Sequence, residues 1–209
     1  MTTETSTAHF DVLHALKVKG LATDDTLTAL TGHDADALAV TIEQLADAGF
    51  VMRREGGRIS GTMITPAGKT EYERLSSELT LSESERAAVD TFHEGFGSIN
   101  GDFKKVCAAW QIRPDETPND HADADYDASV VAELDRIHHR IAQALDEVGA
   151  ELPRLGRYRS RLSAALEKVH GGDTAAFARP MYDSYHDIWM ELHQDLLLTS
   201  GHQRGAGDE

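Results

Sequence analysis

The chain has 209 residues, of which 20 are Lys or Arg and 36 are Asp or Glu, so its formal net charge is −16. An apolar share of 40% is enough for a packed interior, and the length allows one domain or two modest ones. A single cysteine, Cys107, excludes an internal disulfide and fits a reducing cytoplasm. No apolar run approaches bilayer length and no basic-then-apolar leader begins the chain, so we expect a cytoplasmic protein without a membrane partner.

The first third of the chain predicts short helices. Residues 1–7 are polar and are expected to be disordered. The first helix begins near Phe10 and ends at Gly20. Thr23 or Asp24 caps the second helix, because either side chain can accept the free backbone N–H groups of a first turn.

A third helix is predicted after Asp34, whose carboxylate can cap its first turn. Its apolar residues recur at i, i+4, i+7 and i+8 and are expected on the core face: Leu38, Ile42, Leu45 and Ala46. Gly49 follows at once, where a left-handed residue can end a helix without a Cβ clash.

A two-strand ribbon is predicted next. Its strands cover residues 50–54 and 58–65, and the turn over 55–57 contains two glycines that tolerate positive φ. Pro66 then opens a fourth helix, where its missing N–H costs nothing, and this helix runs toward Leu79.

Two segments carry a family resemblance: LADAGFV over residues 45–51 and ITPAGK over residues 64–69. They resemble the winged helix-turn-helix of bacterial transcription regulators, especially the MarR and PadR-like groups. In such proteins the first segment ends the recognition helix and the second leaves the wing. The resemblance implies a DNA-binding domain over residues 1–79, as far as a polar boundary at 76–80.

Base recognition is predicted for the face of the third helix opposite its core residues. Gln44 can bond an adenine edge, and Val40 and the methyl group of Thr41 can meet thymine methyl groups. However, no Lys or Arg lies between His33 and Met52, and the acidic residues of this helix repel phosphates.

Affinity for phosphates must therefore come from the wing, namely Arg53, Arg54 and Arg58. The expected partner is double-stranded DNA. The acidic third helix keeps an alternative open, in which the winged helix belongs to a regulatory or adaptor subunit and contacts protein.

Residues 80–209 predict an all-helical effector and dimerisation domain, which makes the whole chain mostly α. Apolar residues recur at spacings of three and four in one long helix from Val89 to Trp110 and in a second from Val130 to Val148. A third helix is expected from about Tyr158, and Pro180 is expected to open the last one.

Two acidic patterns in the second part of the chain resemble metal sites. Asp135 and His139, one helical turn apart, resemble the Asp-x-x-x-His element of the helical effector domain in GntR-type regulators. Leu162 and Ser184 occupy the comparable positions of two further histidine ligands, so an ion pair on the helix surface is predicted instead.

The spacing of Asp123, Asp125 and Asp127 is that of a calcium loop, but Ala128 replaces the turning Gly and Leu134 the bidentate Glu. A solvated acidic loop that caps the next helix is therefore predicted. We expect no metal and no cofactor.

The last helix predicts an effector site. Its side chains at i, i+4, i+7 and i+11 form one stripe: Tyr182, His186, Trp189 and His193. Aromatic rings beside imidazoles suit a small aromatic or carboxylate effector, and Arg161 or Arg179 can clamp an acid bidentately. The alternatives are a polar seam between helices or a dimer interface.

Enzyme signatures are absent from the sequence: it contains no phosphate-binding Gly loop, no Gly-x-Ser-x-Gly elbow and no paired metal-ligand motif. Together these patterns predict a DNA-binding transcriptional regulator, a homodimer that responds to a small molecule. The adaptor subunit is the second interpretation.

Overall fold

The computed structural model describes residues 3–56 and 60–201 of the chain. The fold is mostly helical with one small antiparallel sheet, so the predicted mostly-α class is confirmed. Two compact units divide the chain, one over residues 1–82 and the other over 83–209. No helix in the described part is long and apolar enough to cross a bilayer.

The first unit contains four helices: α1 (Thr3–Lys19), α2 (Asp24–Thr31), α3 (Ala35–Asp47) and α4 (Pro66–Glu78). Each of the last three begins at a side chain that accepts a backbone N–H of the first turn: Thr23, Asp34 and Thr65. Gly32 and Gly49 adopt φ of 74° and 73° where α2 and α3 end. These caps follow from the local sequence, and the predicted helices are confirmed.

The predicted disorder over residues 1–7 is wrong from residue 3 onward, because α1 already begins at Thr3. Thr5 and Ala8 of this first part of α1 line a groove together with residues of α3. Nearby, Nε2 of His9 on α1 lies 3.0 Å from Oε1 of Gln44 on α3, a contact between distant residues that periodicity alone does not predict.

Three strands form the sheet, in the order β1 (Leu21–Ala22), β3 (Gly61–Ile64), β2 (Val51–Arg54), with both pairs antiparallel. The predicted ribbon corresponds to β2 and β3. Strand β1 is missing from the prediction, because two residues are too few to show alternation. Residues 57–59, the end of the predicted turn and the start of the second predicted strand with Arg58, lie outside the described residues.

The core of the first unit contains Leu38, Ile42 and Leu45 of α3, as predicted, but not Ala46, which is exposed. At 3.6 residues per turn, Ala46 lies about 80° around the helix from Leu38. Thr41, about 60° away on the other side, is buried instead. The buried stripe is therefore shifted by one position relative to the prediction.

The second unit contains α5 (Glu83–Gln111), α6 (Ala124–Glu151), α7 (Pro153–His170), α8 (Ala175–Ala178) and α9 (Tyr185–Ser200). Helix α6 packs on α5 and α7, and α9 packs on α5, α7 and α8. The two longest helices bury the apolar positions that the sequence predicts, from Val89 to Trp110 and from Val130 to Val148.

Two predicted helix starts in this unit are wrong. Helix α7 begins at Pro153, which occupies its first turn, and not near Tyr158. Helix α9 begins at Tyr185 and not at Pro180, because Met181 and Asp183 adopt left-handed backbone with φ of 57° and 50°. Tyr182 therefore lies in a turn before the helix.

Candidate nucleic-acid interface and effector site

The outer face of α3 presents two of its three predicted base readers. Val40 is 53% exposed, an unusual position for an aliphatic side chain of this size. Gln44 is also exposed, and its Oε1 accepts a hydrogen bond from Nε2 of His9 on α1, 3.0 Å away. This bond leaves the amide NH₂ of Gln44 as the group directed outward.

Thr41 lines the same groove as Val40 and Gln44, but unlike them it is buried. Its residue is only 7% exposed, and its hydroxyl donates to the carbonyl oxygen of Ala37, 2.8 Å away. The hydroxyl donor of Thr41 is therefore engaged within α3. The burial of Thr41 follows from the shifted buried stripe of α3.

Charge on this surface is divided between helix and strand. The exposed charges of α3 are all acidic: Asp36, Glu43 and Asp47. Both arginines of β2 are exposed, and Nη2 of Arg53 lies 3.2 Å from the carboxylate of Asp24. Within the described ranges Arg54 has no carboxylate partner. Arg54 is thus the more available cation of the two.

Trp189 of the predicted effector stripe is fully buried in the second unit. Its ring stacks on Phe103 with 4.2 Å between centroids, and its indole N–H donates to Oδ1 of Asn100. His193 is buried as well, 5.1 Å from the ring of Phe96. Protein rings occupy the positions at which the sequence places a ligand.

Tyr182 and Arg179 lie in and before the exposed turn ahead of α9. The Tyr182 hydroxyl donates to Asp173, 3.0 Å away, and this hydrogen bond raises the pKa of the tyrosine. The Arg179 guanidinium lies 5.3 Å from the centre of the same ring. These two residues form a local cluster on the surface, whereas Trp189 and His193 are buried.

Arg161 already holds a carboxylate supplied by the protein. Its guanidinium is 90% buried, with Nη2 2.7 Å from Oε2 of Glu191. His186 is half-buried, and desolvation lowers the pKa of its ring. The six predicted residues are therefore distributed among a packed aromatic layer, an internal ion pair and a surface turn.

A polar seam joins α7 and α9, as in the alternative interpretation of the sequence, and it contains Arg154, Tyr158, Arg161, Glu191 and Asp195. The sequence analysis did not single out Arg154 and Asp195. The Tyr158 hydroxyl donates to Oδ2 of Asp195, 3.1 Å away, and Arg154 pairs with Oδ1 of the same carboxylate. The sequence contains a pattern that indicates this seam. Glu191 and Asp195 are one turn apart on α9, and the basic and phenolic residues of α7 recur at spacings of four and three.

The second unit contains no described group of three metal-ligating side chains. Asp135 pairs with Nε2 of His170 on α7, 2.8 Å away, and not with His139. Asp123 caps α6 by accepting from the backbone N–H of Tyr126, as predicted for the acidic loop.

The chain matches no protein-family model, and no curated protein or solved structure is significantly similar to it. Inference about function therefore depends on the geometry and charges of the described residues.

Proposed function

We propose that this protein is a DNA-binding transcriptional regulator whose first unit contacts the duplex. The observation that carries the proposal is the element order of that unit. Helices α2 and α3 are joined by a three-residue connection and are followed by the antiparallel pair β2–β3, whose first strand exposes two arginines. This order supports a winged helix-turn-helix, a motif in which the second helix enters the major groove.

Helix α3 is the proposed recognition helix. Val40 supplies an apolar contact suited to a thymine methyl group. The amide NH₂ of Gln44 supplies donors, since His9 occupies its oxygen. Donors of this kind pair with the N7 and O6 acceptors of guanine or with O4 of thymine. Gln44 therefore favours acceptor-rich edges over the adenine edge expected from the sequence.

Phosphate contacts are assigned to Arg53, Arg54 and Arg58. Residues 1–82 contain seven Lys and Arg against twelve Asp and Glu, so little other positive charge is available. Three phosphate contacts give a slope of about −2.7 for log affinity against log salt concentration for one protomer, and the six contacts of a dimer give about −5.4. The proposal thus includes modest salt dependence per protomer, with base contacts and dimerisation supplying much of the affinity.

The second unit is proposed to dimerise and to bind a small aromatic or carboxylate effector. A two-fold dimer presents two copies of α3 to two half-sites, which doubles the number of phosphate contacts per complex. An effector that binds one conformation better than the other changes the DNA affinity through linkage.

The test is fluorescence anisotropy with labelled duplexes from the region upstream of the protein's own gene, at several salt concentrations. Replacing Arg53 and Arg54 with Ala is expected to weaken binding and to flatten the salt slope. The matched control replaces Arg86 and Arg159, two exposed arginines of the second unit, and makes the same change in net charge. Equal effects of the two double variants, or no binding at low salt, would overturn the proposal.

A second candidate function is an adaptor subunit whose first unit contacts protein. Val40 on α3 and Met52 on β2 are both more than half exposed, and the charged residues around Val40 are acidic. Apolar side chains framed by acids suit a basic protein surface. An affinity pull-down from the source cells, compared with Val40→Asp, tests this function. A partner lost in that variant, together with absent DNA binding, would favour the adaptor.

A further inference from the structure

A groove of about 680 Å³ runs between α5 and α6 in the second unit. Its size falls in the range of small-molecule sites. The two helices are antiparallel neighbours, so side chains at spacings of three and four from each line its walls. None of the predicted effector residues lines it.

The floor of the groove is apolar and the rest of the cavity is open above it. Val106, Val130 and Ile137 form this floor and are themselves buried. Tyr126 borders one end, where its hydroxyl donates to the carbonyl oxygen of Ala109, 2.8 Å away. This hydrogen bond fixes the ring as a wall. An apolar ligand body can therefore cover the floor without displacing any core side chain.

Positive charge lies on the rim of the groove at Lys105 and Arg140, away from the end that Tyr126 borders. Oδ1 of Asp102 is 2.9 Å from Nζ of Lys105, and Oδ2 is 2.7 Å from Nη1 of Arg140. Arg140 and Lys105 hold the pKa of Asp102 below its usual range, so that carboxylate stays ionised. Two cations share one anion, which leaves one net positive charge at this point.

The net positive charge at this point of the rim contrasts with the net negative charge of the second unit as a whole. Residues 83–209 contain 13 Lys and Arg against 24 Asp and Glu. The third cation of the rim, Arg136, is neutralised by Glu133. A single uncompensated positive charge beside an apolar floor fits a monoanion with an apolar body. A dianionic phosphate would carry more negative charge than this site balances.

We propose that this groove binds an amphipathic carboxylate. The carboxylate of the ligand binds beside Lys105 and Arg140, whose two positive charges are only half compensated by the carboxylate of Asp102. The apolar body of the ligand covers Val106, Val130 and Ile137. Binding itself is independent of the proposed function, and only the description of the ligand as an effector rests on it. The groove has an open apolar floor, whereas the ring of Trp189 in the predicted stripe is already packed.

The probe is decanoate, kept below its micelle concentration and compared with the uncharged 1-decanol by isothermal titration calorimetry in the absence of DNA. Replacing both Lys105 and Arg140 with Gln is expected to weaken decanoate binding at least tenfold. The same double variant should change decanol binding less than twofold. The matched control replaces Arg86 and Arg159 with Gln and should leave both affinities unchanged.

Ser129→Trp provides the second variant, because Ser129 is exposed and lines the groove, so the indole fills the space without entering the core. It should abolish binding of both probes while circular dichroism and the melting temperature remain those of the parent. Unaltered binding in this variant, or equal decanoate affinity in the parent and the Lys105/Arg140 double variant, would overturn the proposal.

Light scattering separates the ligand from the competing occupant, a second copy of the chain. If Ser129→Trp or decanoate converts a dimer to monomers, the groove is an interface and the proposal is wrong. An unchanged oligomeric state supports it. Loss of DNA binding in the anisotropy experiment would not alter these results, so the two proposals fail separately.

Discussion

The indole N–H of Trp189 donates a hydrogen bond to Oδ1 of Asn100, 2.9 Å away, and both residues are buried. The bond joins α9 to α5 across 89 positions of sequence. Asn100→Ala leaves the indole donor without this acceptor, which costs about 1–3 kcal/mol of unfolding free energy. Urea denaturation followed by circular dichroism measures it.

Thr91→Ala is the control, since Thr91 is an exposed polar residue on the same helix and should change stability by less than about 0.5 kcal/mol. If Asn100→Ala is no more costly than this control, the hydrogen bond contributes nothing.

Removing one partner of the buried Arg161–Glu191 pair is expected to destabilise the protein strongly. Glu191→Ala removes the nearer carboxylate of the buried Arg161 guanidinium and leaves the exposed Asp183 at 3.9 Å, so it should cost about 3–5 kcal/mol. Replacing both residues, as Arg161→Met with Glu191→Leu, should cost much less because no charge remains buried. Chemical denaturation of the three proteins gives the comparison.

The exposed pair Arg159–Asp146 is the matched control, and Arg159→Ala should cost about 1 kcal/mol or less. A double variant of Arg161 and Glu191 that is as unstable as Glu191→Ala would show that packing, and not the lone charge, dominates.

Gly149 and Gly156 allow α6 and α7 to approach closely. A Cβ on Gly149 would lie 2.7 Å from Cα of Gly156, which is backbone and cannot move aside as a side chain can. Gly149→Ala should therefore destabilise the second unit by about 1–3 kcal/mol despite its better helix propensity. Gly97→Ala, with open space around the new Cβ, should stabilise α5 by about 0.5–1 kcal/mol. Thermal melts that rank the two variants in the opposite order would contradict this packing.

Thr41 and Gln44 should differ in their effect on DNA recognition. Thr41→Val removes a hydroxyl that is bonded inside the protein, so it should leave sequence discrimination unchanged. Gln44→Ala should reduce discrimination by about 1–3 kcal/mol, which is about 5- to 150-fold. Competition anisotropy with single-base variants of the bound duplex measures both. Equal effects at the two positions would place the contact surface elsewhere.

Stability should fall as the pH is lowered through about 6.5. Burial lowers the pKa of His186 and of His138, so each ring binds a proton more readily in the unfolded chain than in the folded one. The unfolded state is then favoured at acidic pH, and this contribution is complete above the unfolded pKa of about 6.5. Unfolding free energies at pH 7.5 and 5.5 should differ less in His186→Gln than in the parent. An equal pH dependence would mean that His186 titrates alike in both states.

The helices of both units could be predicted where their ends and faces are determined by nearby residues in the sequence. Side-chain oxygens at Thr23, Asp34 and Asp123 accept N–H groups within three residues, and Gly49 ends α3 through its own backbone freedom. The long apolar repeats of α5 and α6 likewise bury what their spacing indicates. Such signals act over one or two turns, so the sequence alone contains them.

Long-range packing decided the rest. Strand β1 exists only because β3 pairs with it, and the first turns of α1 are ordered beside α3. Trp189 and Tyr182 share a helical stripe in sequence, but positive φ at Asp183 excludes Tyr182 from the helix, and Asn100 and Phe103 of α5 enclose Trp189. Periodicity determines which faces of a helix are apolar; which neighbour covers each face depends on contacts between residues distant in sequence, which only the tertiary structure contains.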